Sequence, residues 1–146
     1  MKIFLFAFIF IALGKVSYCQ QLKQSIDYQY YRDDKSYYAF ELFKEVKNTE
    51  DNQLLLNFTS NAHHNKIDKI YIKSGDVELR LKFKVREETI HSDNPEQKFY
   101  PISFNKKELV DKKIQCEATI IFKMEGGIQY ALPFNTCNLK ELMAKN

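Results

Sequence analysis

Val77-Glu78-Leu79-Arg80-Leu81-Lys82-Phe83-Lys84-Val85-Arg86 alternates apolar and charged side chains without a fault. Successive side chains of a β-strand point to opposite faces, so this period of two means one buried face and one wet face. Wound as a helix, the same stretch would scatter its apolar groups around the whole circumference. Ser74-Gly75-Asp76, just before it, reads as a turn. The stretch is therefore expected to be one continuous half-buried strand.

Working outward, the same kind of segment recurs. Residues 26–31 and 36–46 are aromatic and β-branched runs separated by Arg32-Asp33-Asp34-Lys35. Residues 53–60 and 67–73 follow, and 98–104, 114–124 and 128–134 come after the opening stretch. Pro101 lacks an N–H, which places it at a bulge or on an edge strand. Helical periodicity is confined to one turn at 105–110, with Asn105 as N-cap and Glu108 completing a capping-box-like pattern, and to a terminal segment at 138–144. There is no repeat, low-complexity tract or Pro/Gly/Ser-rich linker. About eight closely spaced strands with polar turns predict an all-β protein, an antiparallel β-sandwich in a single domain over residues 20–146. Ile114-Gln115-Cys116-Glu117-Ala118, after a one-turn corner and before a hairpin, resembles the penultimate strand of immunoglobulin-like domains. The early-strand cysteine and core tryptophan of those domains are missing, so the resemblance implies an immunoglobulin-like architecture and no family.

The last hairpin admits two registers. A two-residue Gly126-Gly127 loop would set Cys116 directly opposite Cys137. It would also throw Ala118, Ile120, Phe122 and Met124 onto the face opposite to Ile128, Tyr130, Leu132 and Phe134. A three-residue loop, Glu125 to Gly127, aligns the two apolar sets. Burying eight large side chains outweighs one crosslink, so the three-residue loop is expected, with an irregularity near Pro133 or Asn135, or with Cys137 just beyond the strand.

The N-terminus bears on location. Met1-Lys2 is followed by an apolar run, Ile3 to Leu13, and by a short polar stretch ending at Cys19-Gln20. That is the layout of a secretory signal peptide over residues 1–19, with cleavage after Cys19. The run is shorter than the roughly 20 residues a membrane-spanning helix needs, and no later run is long enough. Lipidation of Cys19 is the alternative, disfavoured by Tyr18. The chain is read as secreted or periplasmic. Its formal charge is +3, of which Lys2 and Lys15 supply two, so the remainder is nearly neutral. A neutral surface gives no general attraction to nucleic acid. Two cysteines, Cys116 and Cys137, stay behind, and an even pair in an exported chain reads as a disulfide.

Chemistry-bearing motifs are scarce. His63-His64 and His91 lie in polar loops, and adjacent strand histidines diverge, so no metal site is expected. Asp33-Asp34, Glu50-Asp51 and Glu87-Glu88 sit at turns and strand ends. No nucleophile elbow, zinc-protease helix, phosphate loop or calcium loop is present. Asn57-Phe58-Thr59 has the form of an N-glycosylation acceptor. Two clusters remain. Arg80, Lys82, Lys84 and Arg86 would share one strand face at about 7 Å intervals, suited to an anionic glycan or an acidic protein, or merely guarding an edge. Tyr28, Tyr30, Tyr31, Tyr37, Tyr38 and Phe40 could stack on sugars or anchor a partner, or simply pair across a hairpin. The expected function is a non-catalytic binding or interaction module without cofactor or metal, engaging a protein or an anionic glycan. An accessory or structural subunit of a cell-envelope or extracellular assembly is the first alternative, and a small secreted enzyme the last.

Overall fold

A computed structural model describes residues 23–45, 53–90, 92–110 and 114–144. The signal-like segment with Cys19, the Glu50-Asp51 pair and His91 lie outside these residues. The described strands are β1 (Lys23–Arg32), β2 (Tyr37–Glu45), β3 (Gln53–Ser60), β4 (Ile67–Ser74), β5 (Val77–Leu81), β6 (Lys84–Val85), β7 (Lys98–Asn105), β8 (Glu117–Met124) and β9 (Gln129–Asn135), with helices α1 (Lys107–Val110) and α2 (Thr136–Ala144). They form an antiparallel sandwich of a five-stranded sheet, β1-β2-β3-β7-β6, and a four-stranded sheet, β5-β4-β8-β9. In immunoglobulin lettering β2 to β9 are A, B, C, C′, D, E, F and G, giving sheets A-B-E-D and C′-C-F-G. β1 is an added edge strand outside A.

The alternating stretch 77–86, expected as one continuous strand, is two strands. It breaks after Leu81: β5 pairs with β4, and β6 pairs with β7 in the other sheet. Leu79, Leu81 and Phe83 keep facing the core through the switch, while Val77 and Val85 at the two ends of the stretch are exposed. Leu81 is 2 % exposed and Phe83 packs against the core from the crossover. Nine strands result where eight were expected.

The core lies between the sheets. Phe58 stacks on Phe122 with ring centroids 4.3 Å apart, and Phe40 tilts against Phe122 and meets Phe134 edge-on. Leu109 of α1, Leu139 of α2 and Ile114 join the same buried cluster. Asn105 caps α1 by accepting the Lys107 N–H at 2.9 Å.

The last hairpin takes the three-residue loop. Ala118 pairs with Phe134, Ile120 with Leu132 and Phe122 with Tyr130, so both apolar sets share a face. The turn holds Gly126 and Gly127 at φ of 96° and 90°, where a Cβ is strained. Cys137 lies past the strand, in the first turn of α2, and its sulfur is at bonding distance from that of Cys116. Asn135 turns the chain there, its Oδ1 accepting the N–H groups of Cys137 and Asn138.

The two prolines that lie within strands, Pro101 and Pro133, have a geometric explanation. Pro133 pairs with Thr119 on edge strand β9. That rung alternates with the hydrogen-bonded ones, so the missing N–H faces the open side. Pro101, expected at an edge or bulge, instead lies in β7 between β3 and β6. Arg86 N–H donates to the Pro101 carbonyl at 3.0 Å, but the reciprocal bond has no donor. β6 ends at that point, so the proline shortens its neighbour rather than marking its own strand as an edge.

Candidate functional site

β1 and β2 are in register with Tyr28 opposite Glu41, Tyr30 opposite Ala39 and Arg32 opposite Tyr37. Residues directly opposite share a face, so Tyr28, Tyr30 and Tyr37 stand together on the outer face of the five-stranded sheet. The register continues inward: Ala39 meets Thr59, and Thr59 meets Phe99. One row across four strands therefore reads Tyr30, Ala39, Thr59, Phe99. Bulky aromatics stand at its ends and small side chains in the middle. The next row reads Tyr28, Glu41, Asn57, Pro101. The relief is a shallow groove of about 140 Å³, floored by Ala39 and Thr59 and rimmed by Tyr28, Tyr37 and Phe99, with Glu41, Asn57 and Gln97 as its polar groups.

The groove is preorganised at its tyrosine rim. The Tyr28 and Tyr37 hydroxyls are 3.4 Å apart. That hydrogen bond, then partial burial, then the nearby Tyr37 and Glu41 oxygens push the Tyr28 phenol up to about 12. Tyr28 and Tyr30 remain 53 % and 63 % exposed, with their rings tilted 6.1 Å apart. The other tyrosines of the cluster turn the opposite way. Tyr31 stacks on Tyr38 at 5.0 Å, and Tyr38 tilts on Tyr130 at 4.8 Å against the core. The N-terminal aromatic cluster is thus two clusters on two faces.

No known family, curated protein or solved structure matches this chain.

The cationic row does not exist as a row. Arg80 lies on β5 of one sheet, Lys84 on β6 of the other, and Lys82 at the crossover between them. Lys82 and Lys84 flank a hollow of about 280 Å³ beside Ser103 and Asn105. Arg86 is internal, its side chain 10 % exposed. Its Nε donates to the Ile102 carbonyl at 3.1 Å, one terminal nitrogen to Glu88 at 2.6 Å and the other to Asn57 Oδ1. The guanidinium also sits 5.6 Å from the centre of the Phe43 ring, which is fully buried on this outer face. Lys23 approaches the same ring at 4.6 Å. The arginine fastens the crossover to the sheet.

The remaining motifs are absorbed locally. Asn57 is 8 % exposed in mid-strand and bonded to Arg86, so the folded chain does not present the glycosylation triplet. His64 Nε2 is 2.8 Å from the Tyr130 hydroxyl, and His63 Nε2 is 3.1 Å from the Glu96 carbonyl. No group of three metal-ligating side chains occurs among the described residues. Asp33 accepts the Lys35 and Ser36 N–H groups and the Tyr31 hydroxyl, which together hold its carboxyl below the usual range. Glu88 pairs with Arg86. A third hollow, of about 360 Å³, lies between the 32–37 turn and the 94–97 loop and is mainly polar. Small-molecule sites run from roughly 300 to 1,000 Å³ and are mostly apolar, so the tyrosine groove is too small and the hollow at the 32–37 turn too polar to resemble one.

Ala39, Thr59, Phe99 and Gln97 had no signal in the sequence that tied them to the tyrosines. Only the register of four strands joins them.

Proposed function

We propose that this protein is an exported, non-catalytic binding module that engages a protein partner through the outer face of its five-stranded sheet. One observation carries the reading: Tyr28, Tyr37 and Phe99 rim a small-residue trough on the outer face of the sheet, and the exposed Tyr30 stands beside Tyr28 on the same face. Tyrosine supplies a large contact area with little conformational entropy to lose, and it is enriched among the residues that dominate interface energetics. A trough of about 140 Å³ suits a single anchoring side chain better than an enclosed small ligand. An anionic glycan is the weaker alternative, because the cations that would recognise it are split between sheets and Arg86 is consumed internally. Export is supported by the N-terminal sequence pattern and by the disulfide, which persists in oxidising compartments. Among the described residues no helix is long and apolar enough to cross a membrane.

The test is affinity capture from the native host's extracellular or periplasmic fraction. The wild type is compared with Tyr28→Ala/Tyr30→Ala and with Arg80→Ala/Lys84→Ala, all three matched for thermal stability. The tyrosine pair is expected to lose the partner and the cation pair to keep it. Retention by the tyrosine variant would overturn the reading, and salt-sensitive loss with the cation variant would favour the glycan.

A further inference from the structure

We propose that this protein self-associates through the open edge of β5, two copies pairing antiparallel about a two-fold axis at Leu79. β5 ends the four-stranded sheet, and among the described residues it pairs with β4 alone. The other edges are less available. β9 carries Pro133 and gives its Asn135 N–H to Asp27 of β1 at 3.3 Å, so β1 and β9 lie against each other. β6 is two residues long.

The backbone of β5 is set for pairing. The turn at Gly75-Asp76 is a two-residue hairpin loop, with Gly75 at φ 58°. The closing pair of such a loop, Ser74 with Val77, is hydrogen-bonded, and bonded pairs recur at every second residue. Leu79 and Leu81 therefore bond inward to Ile72 and Ile70. Glu78 and Arg80 direct their N–H and C=O groups to the open side.

The side chains supply the specificity. From Asp76 to Lys82 the chain reads Asp, Val, Glu, Leu, Arg, Leu, Lys. About Leu79 this is apolar-symmetric and charge-antisymmetric. In a two-fold antiparallel pairing Glu78 meets the second copy's Arg80, and Arg80 meets its Glu78. Val77 faces Leu81, and Asp76 and Lys82, which flank β5, carry the same opposite charges two residues beyond the Glu78–Arg80 pair. The Glu78–Arg80 pairs coincide with the outward-directed backbone groups, so each exchanges both ladder bonds, while the two Leu79 residues occupy the closer non-bonded rung. Parallel pairing in the same alignment would set acid on acid and base on base. The charges are also uncommitted: among the described residues Asp76, Glu78, Arg80 and Lys82 make no ion pair. Lys73 lies opposite Glu78 on β4 and Tyr71 opposite Arg80, so no acid of β4 competes for Arg80. Edge charges of a single sign repel a second strand, whereas this arrangement selects a second copy of itself.

The experiment is sedimentation equilibrium of the full chain at low and high salt, with four samples beside the wild type. Glu78→Arg and Arg80→Glu each turn two attractive cross-strand pairs into repulsive ones and should weaken the dimer about tenfold or more at low salt. The double variant Glu78→Arg/Arg80→Glu restores complementarity and should recover the dimer. So should an equimolar mixture of the two single variants, as a heterodimer. Melting curves confirm that each variant is folded. A wild type that stays monomeric, single reversals that leave association unchanged, or a folded double variant that fails to recover it would each overturn the proposal. Association driven elsewhere, for example by the apolar run at 3–13, would ignore the reversals and count against it.

Discussion

Replacing Arg86 with alanine tests whether this cation is part of the fold or part of a binding row. Alanine removes the donors to the Ile102 carbonyl and to Asn57 Oδ1, both in mid-sheet. A buried acceptor left without a partner costs about 1–3 kcal/mol. The contact with the Phe43 ring adds about 0.5–1 kcal/mol. The ion pair to Glu88, whose side chain is 52 % exposed, contributes less than about 1 kcal/mol. Water entering the vacated space offsets part of the sum, so the expected loss is about 3 kcal/mol. At concentrations dilute enough to keep the chain monomeric, exposed Arg80→Ala and Lys84→Ala should stay within about 0.5 kcal/mol of wild type. Urea unfolding at constant m-value reads all three. Arg86→Lys should recover less than half of the loss, because an ammonium cannot reproduce the guanidinium fork. A loss below about 1 kcal/mol for Arg86→Ala, or one equal to that of Arg80→Ala, would refute the assignment.

Two further outcomes are expected. Cys116→Ser/Cys137→Ser frees a closed loop of sequence separation 21 and should cost about 3 kcal/mol, read as a urea midpoint shift that reduction of the wild type reproduces; an unchanged midpoint would show that the buried Leu139 and Thr136 contacts of α2 suffice without the crosslink. Tyr28, its phenol pushed up to about 12, favours the folded state fully below pH 10 and loses that contribution as pH rises from about 10 to about 12; in a titration followed at the tyrosinate absorbance Tyr37→Phe should bring one late-ionising phenol back toward the ordinary range, and an unaltered curve would deny the Tyr28–Tyr37 hydrogen bond.

The sequence by itself determined most of the strand segments and, in the clearest of them, which side chains face inward. Alternation at 77–86 put Leu79, Leu81 and Phe83 on the core side, and the apolar sets of the last hairpin chose its three-residue loop. Both are local patterns, because a strand's two faces follow from successive residues. The pairing of Cys116 with Cys137 was legible for the same reason, both residues lying just outside one hairpin. Only the tertiary structure decided which sheet each segment joins. Alternation states that a side chain points inward, but it is silent on which backbone supplies the hydrogen bonds, so the switch after Leu81 left no mark in the pattern. That switch dispersed the cationic row and turned Arg86 into a tether. The tyrosines split for a similar reason: Tyr28, Tyr30 and Tyr37 face one way and Tyr31 and Tyr38 the other, as their spacing requires. The groove itself needed Ala39, Thr59 and Phe99 from three different strands. Contacts made across strands depend on register over long sequence separations, where one residue of slip exchanges the two faces of a strand.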